Sequence, residues 1–228
     1  MQDQEMSARI LFEIGPLTVT ETVTTTWVII LLLWVAVWFC TRSLQLKPNP
    51  VQAAAEGIVS SLEDAVRTVA PDHYRQIMPF IASLWLFLVI ANLVGLIPGF
   101  HSPTRDLSAT SALAIMVFLS VHWFGIRIQG LKRYLHHYLT PFPFLLPFHI
   151  VSEITRTVAL AIRLFGNIMS LEIAALLVLL LAGFLVPIPI LMLHIVEALV
   201  QAYIFGMLAL IYIASALQAQ QIKNQPKE

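Results

Sequence analysis

A guanidinium in the middle of an apolar run is the group with the most chemistry to explain. Arg163 lies in 157-TVALAIRLFGNIMSLEIAALLVLLLAG-183, with Asn167 one helical turn later and Glu172 five residues after that. A charge at mid-bilayer costs about 2.5–3.5 kcal/mol on insertion scales, so it normally faces a partner or a water-filled cavity. Arginine cannot escape that cost by deprotonating, as lysine can. No acidic residue lies three or four positions from Arg163, and its neighbour on that helix face, Asn167, is neutral. Its counter-charge must therefore come from another helix or another chain; an internal salt bridge to Glu172 or Glu197 is the bland alternative. Further along, His194, Glu197 and Gln201 fall at i, i+3 and i+7, a single polar stripe on an apolar helix. Such groups line aqueous paths, where they can pass or hold a proton. Arg156 is seven residues before Arg163, on nearly the same face, and Glu153 three residues earlier can pair with it. An acidic residue and a histidine three apart can ligate a metal together, but di-metal bundles need two such pairs and only one is present, so no metal is expected.

The elements that must position these residues are membrane helices. The 228 residues are 58% hydrophobic and 11% charged, with a mean hydropathy of +0.82. Soluble domains carry about 25% charged residues, so the balance is that of a polytopic membrane protein. The net charge is zero, with 13 basic and 13 acidic residues, which offers no argument for nucleic acid. Cys40 is the single cysteine, so no internal disulfide can form. About 20 apolar residues span a bilayer as a helix. Spans are expected at 27–46, 77–98 and 109–126. The first follows Asp3, Glu5, Glu13 and Glu21 and lacks the basic start of a signal peptide, so it reads as a retained span. Residues 51–76 have helical periodicity with charges on one side, an amphipathic helix at the membrane surface or an extension of the next span. The last two apolar segments, about 145–184 and 188–217, are longer than a perpendicular span requires, and strong tilt is the favoured solution. The fold class is an all-α polytopic membrane protein: one near-perpendicular N-terminal span, a transmembrane hairpin, and two long tilted helices. No internal repeat is visible, which weakens inverted-repeat transporter readings.

Lysine and arginine placement sets the orientation. With the N-terminus outside, the inner loops hold Arg42, Lys47, Arg67, Arg75, Arg127, Lys132, Arg133, Lys223 and Lys227, and the outer side only Arg9 and Arg105. The C-terminus is then cytoplasmic. Four regions follow: an outer N-terminal segment (1–26), a first span with amphipathic linker (27–76), an ion-translocating helical domain (77–217) and a cytoplasmic tail (218–228). Among the weaker polar positions, Asn92 reads as an interhelical hydrogen-bonding residue, Asp106 as a helix N-cap, and His136 and His137 as solvated. No HExxH, glycine-rich phosphate loop or nucleophile elbow occurs, so no catalytic site is read on this chain.

The runs 160-LAIRLFGNIMSLE-172 and 194-HIVEALVQAYIF-205 closely resemble subunit a of the F-type ATP synthase, the membrane stator beside the rotating c-ring. The resemblance extends to 79-PFIASLWLFLVIANLVGLIPG-99 and to Pro103, Asp106 and Thr110, and covers most of residues 75–217. It implies that Arg163 is the stator charge facing the ring carboxylate and that Gln201 faces it from the last helix. Glu172 and His194 would line the half-channel opening on the outer side, with Asn167, and with Glu197, on the ion pathway. The family usually carries a glutamate fourteen residues before the arginine, where this chain has His149, and Glu153 comes one turn later. His149, Glu153, Arg156 and Asn92 are accordingly the candidates for an inner access path. Glu197 stands where the family is often apolar.

The implied function is a non-catalytic, ion-translocating stator that couples proton or sodium passage to rotation and to ATP synthesis or hydrolysis. The implied partners are the c-ring, the subunit b stalk and lipid, with no nucleic acid, no cofactor, and a bacterial inner membrane as location. Two other classes compete. A self-contained ion channel or secondary transporter would conduct as the purified chain alone, and a non-translocating scaffold would use its intramembrane charges only as interhelical glue.

Overall fold

The computed structural model describes residues 10–14, 17–42, 45, 49–97, 100–131, 146–182 and 187–218. Lys47, Pro48, His136, His137 and the tail beyond Gln218 lie outside them. A two-stranded antiparallel ribbon, β1 (Ile10–Ile14) and β2 (Leu17–Thr20), leads into six α-helices. These are α1 (Glu21–Arg42), α2 (Pro50–Val69), α3 (Tyr74–Val94), α4 (Leu107–Gln129), α5 (Leu146–Ala182) and α6 (Pro187–Gln218). Five are long and apolar enough to cross a membrane, all but α2. The protein is an α-helical polytopic membrane protein. The short ribbon ahead of α1 is an addition that hydropathy gave no sign of.

Helix α1 begins six residues before the apolar run does. Its first turns are rich in threonine, and the hydroxyls of Thr24, Thr25 and Thr26 donate to the carbonyls of Thr20, Glu21 and Thr22. Satisfied in this way, threonine extends a helix into a stretch whose polarity suggested otherwise. Glu21 in the first turn and Arg42 in the last both complement the helix dipole. The amphipathic stretch is a separate helix, not an extension of α3. Proline at 71 has no amide to donate and disfavours helical geometry at Ala70, so the chain leaves the helix there with φ −134° and turns before Tyr74.

The two long helices hold 37 and 32 residues. At about 1.5 Å per residue they reach about 55 and 48 Å, against a hydrocarbon thickness of about 30 Å. Each must incline strongly or project beyond the apolar layer. They run antiparallel: Asn167 meets Gln201 and Arg156 meets Tyr212, so eleven residues back on α5 correspond to eleven forward on α6.

The core lies where α3 and α4 close on α6 and on one side of α5, among buried Ile81, Leu88, Val117, Leu164, Phe205 and Leu210. Close approach of α3 to α6 depends on Gly206. The Trp85 indole occupies the space a Cβ there would need, and its Nε1 donates to the Tyr203 carbonyl at 3.2 Å. The Trp85 and Tyr203 rings lie parallel, with centroids 6.0 Å apart.

A buried hydrogen-bond chain fixes the loop between α3 and α4. Ser102 donates to the Ala91 carbonyl at 2.8 Å, its hydroxyl meets that of Thr104 at 2.6 Å, and Thr104 donates to Asn92 Oδ1 at 2.8 Å. Asn92, 0% exposed, then donates to the Ala198 carbonyl of α6 at 3.1 Å. Asp106 caps α4 by accepting from the Ser108 amide at 3.0 Å, and accepts from the Thr22 hydroxyl of α1 at 3.1 Å. Asn92 thus does not belong with His149, Glu153 and Arg156. It joins the 102–104 loop, and the adjoining Arg105 reaches Glu172, which is sixteen residues, or about 24 Å, along α5 from Arg156.

Two outcomes follow for stability. Gly206→Ala should displace the Trp85 ring and lower stability by about 2–4 kcal/mol, from overpacking plus one lost hydrogen bond, as read by thermal unfolding of the intact complex in detergent. Asn92→Leu, which keeps volume but strands Thr104 and the Ala198 carbonyl, should cost about 2–4 kcal/mol in the same measurement.

Candidate functional site

Arg163 stands near the midpoint of α5, on an exposed face. It makes no hydrogen bond and no ion pair among the described residues, so neither Glu172 nor Glu197 neutralises it. The reason is geometric. Glu172 is nine residues away, about 13.5 Å along the helix, and its carboxylate is already engaged by Arg105 at 3.2 Å. Arg105 also contacts His101 Nδ1 at 2.9 Å. Since a guanidinium only donates, that nitrogen is the acceptor.

One turn beyond Arg163, Asn167 Nδ2 donates to Gln201 Oε1 at 2.7 Å, joining the two long helices. Gln201 is 2% exposed, and its Nε2 has no hydrogen-bond partner among the described residues. His194, two turns before Gln201 on the same face, is likewise 2% exposed with Nε2 unpartnered. Unsatisfied buried donors and acceptors cost about 1–3 kcal/mol each, so both amide and imidazole mark places where a water or a passing ion would be favoured. Glu197 lies at the margin of this stripe, half-buried. The antiparallel register puts Glu172 level with Val196, between His194 and Glu197. Asn167 and Gln201 thus join α5 to α6 directly, while Glu172 with Arg105 and the buried His194 lie further along the same pair of helices, and Arg163 stands on the exposed face one turn before Asn167.

The other end of the seam differs from the expectation. Glu153 does not pair with Arg156; its carboxylate meets His122 Nε2 of α4 at 3.4 Å. Arg156 instead places its guanidinium over the Tyr212 ring, 4.7 Å from the centroid, a cation–π contact. The short sequence distance suggested an intrahelical pair, but the carboxylate points across to α4. His149 is exposed, one turn before Glu153.

Arg105 and His122 were not among the residues singled out by sequence. Arg105 gave no usable signal, because its contact to Glu172 spans 67 positions and looks like ordinary loop charge. His122 did give one: it is a histidine inside an apolar helix, the same criterion that selected His194.

The chain matches the family model described as "ATP synthase A chain" over residues 23–214. It is 63% identical over 218 residues to ATP synthase subunit a 2 of Pelobacter propionicus, covering 96% of each chain. It is 57% identical over 226 residues to ATP synthase subunit a of Legionella pneumophila strain Paris, covering 99% of this chain and 98% of the relative. A subunit a 2 of a Bradyrhizobium strain is 46% identical over 217 residues, covering 95% of this chain and 97% of the relative. With a family match over residues 23–214 and relatives covered almost end to end, this chain belongs to the ATP synthase A chain family.

Proposed function

We propose that the chain is the membrane stator of an F-type ATP synthase, forming two ion half-channels against a rotating ring of c subunits. The observation that carries this is Arg163: a permanent cation halfway along an apolar helix, on an exposed face, with no anion among the described residues to balance it. Its partner is a carboxylate delivered by the moving ring. That carboxylate must be neutral, through a bound proton or sodium, while it faces lipid. Beside Arg163 the ionised form is favoured, because an opposite charge within about 4–6 Å stabilises it. The ion leaves into one half-channel, and the site refills from the other after the ring turns. Arg163 also keeps the two half-channels from joining into a leak, since any cation crossing directly would pass a fixed positive charge.

The outer half-channel runs along Glu172, His194 and Glu197 towards Asn167 and Gln201; the inner one lies near His149, Glu153 and Arg156. The ion-translocating domain is 77–217. The N-terminus lies outside and the C-terminus in the cytoplasm of a bacterial inner membrane, and a subunit b stalk holds the stator against the torque. Each elementary charge crossing 100 mV supplies about 2.3 kcal/mol, so several must cross per ATP.

Arg163→Ala should leave an assembled complex that hydrolyses ATP but makes none when a proton or sodium gradient is imposed on reconstituted vesicles. Ion-driven synthesis above the uncoupled background would refute the assignment. Arg163→Lys keeps the charge but not the planar five-donor fork. Synthesis rates should fall by about tenfold or more, and a rate equal to wild type would mean that charge alone suffices.

A further inference from the structure

A second cluster of titratable side chains lies away from Arg163, at the opposite end of α5 from Glu172. Residues of α4, α5 and α6 line a small, partly open cleft. Its polar lining is His122, Glu153, Arg156, Thr157 and Tyr212, against an apolar wall. His122 Nε2 faces the Glu153 carboxylate at 3.4 Å, while its Nδ1 lies 2.9 Å from the Phe118 carbonyl. A carbonyl can only accept, so Nδ1 carries the hydrogen and Nε2 is the nitrogen that gains or loses a proton. It points at the carboxylate.

Building on the stator reading, we infer that His122 and Glu153 together form the proton-exchanging site of the inner path, with His122 its hitherto unassigned member. Three observations carry this. The pair lines a cleft large enough for water and opens to its surroundings, as an access path must. Arg156 borders the same cleft and is seven residues before Arg163 on nearly the same face. A proton leaving past the Arg156–Tyr212 contact therefore emerges about 10 Å along α5 from the stator charge. Finally, the axial placement suits two offset paths. Glu153 is ten residues before Arg163 and Glu172 nine after it, so the carboxylates are separated by about 28 Å along α5. That is close to the thickness of the apolar layer, with the guanidinium midway.

The step is a proton exchange in which charge balances. With His122 neutral and Glu153 ionised, the pair carries one negative charge. One proton from inner-side water brings it to zero, as imidazolium beside carboxylate. Passing a proton through cleft water to an ionised ring carboxylate returns the pair to minus one and neutralises the carboxylate; in hydrolysis-driven pumping the order reverses. Arg156 and Tyr212 face the pair from α5 and α6, and His149 is one turn away on α5. The fixed charge of Arg156 at the edge of the cleft stops a free cation from using it as a leak.

The competing use of the same geometry is a salt bridge that only locks α4 to α5. The test uses the intact synthase in liposomes, with ATP-driven acidification followed as the pH of each side is varied separately. His122→Gln and Glu153→Gln should each slow pumping by about tenfold or more. Each should alter the pH profile on one side of the membrane only, and the double variant should be no slower than either single one. His122→Lys is the deciding variant, because its ammonium can keep the bridge to Glu153 yet holds its proton across the range in which imidazole exchanges. Slow pumping by an assembled Lys variant supports proton exchange; pumping at the wild-type rate with an unchanged pH profile overturns it. Sodium pumping with no acidification would also overturn it. The Arg163→Ala complex is run alongside: if it still pumps, the stator reading fails, whereas if it is dead while the His122 and Glu153 variants pump normally, only the present inference fails.

Discussion

A guanidinium halfway along an apolar helix is tolerable only if something balances it, and in this chain nothing among the described residues does. Glu172 is engaged by Arg105, Glu153 by His122, and Glu197 contacts neither Arg163 nor Arg105. The arrangement avoids self-neutralisation. Had the carboxylate stood five positions nearer, at 167, an i, i+4 pair could have formed, and the charge would have been lost to any partner. Retaining an uncompensated cation costs stability in the isolated subunit. On the proposed reading that cost is recovered when a carboxylate arrives from outside, so the same electrostatic term that destabilises the free chain would supply the attraction to a ring.

Holding such a charge in place requires a rigid surround, and two buried amides show how the protein separates rigidity from transport. Asn92 is saturated: its oxygen accepts from Thr104, its nitrogen donates to Ala198, and the knot pins the 102–104 loop onto α6. Gln201 is equally buried but only half satisfied, its Oε1 taken by Asn167 and its Nε2 left over. A fully satisfied buried amide specifies structure. The two amides thus differ in their surroundings, although they look alike as lone amides in apolar sequence. The Trp85–Gly206 contact does complementary work by bringing α3 against the back of α6, one turn beyond Gln201.

Much of this was legible in the residues because lipid enforces simple rules. Apolar length gave the five spans, and the lengths of α5 and α6 signalled tilt; Arg163 stood out because a charge there needs a reason. The resemblance implies that Gln201 faces Arg163, whereas its amide oxygen accepts from Asn167, one turn on; residues 34 apart carry no mutual signal that would give this pair. What escaped was set by direction, not by composition. Glu153 lies three residues from Arg156, the right spacing for a pair, yet its side chain leaves α5 towards α4 while Arg156 turns onto Tyr212. Sequence spacing fixes which residues share a helix face but not which neighbouring helix lies nearer. The start of α1 lies ahead of the apolar run for a related reason: hydropathy counts threonine hydroxyls as polar, whereas those of Thr24, Thr25 and Thr26 are each taken up by a carbonyl one turn back.

The spacing of charges along α5 explains why the helix must be long. A rotary stator needs two aqueous paths that reach the same depth from opposite sides without meeting, and a barrier between them. On this helix the proposed barrier, Arg163, has a carboxylate at a similar axial distance on either side, each held by a cation or potential cation from elsewhere: Arg105 from the loop, His122 from α4. A helix of about 20 residues would place those carboxylates at the two surfaces with no length left to anchor its ends in the protein. With 37 residues the helix continues past both, so each carboxylate is held by its cation within the body of the helix and not at a fraying end. The excess length of α5 is thus what lets one helix carry an unbalanced charge at its middle and a balanced one on either side.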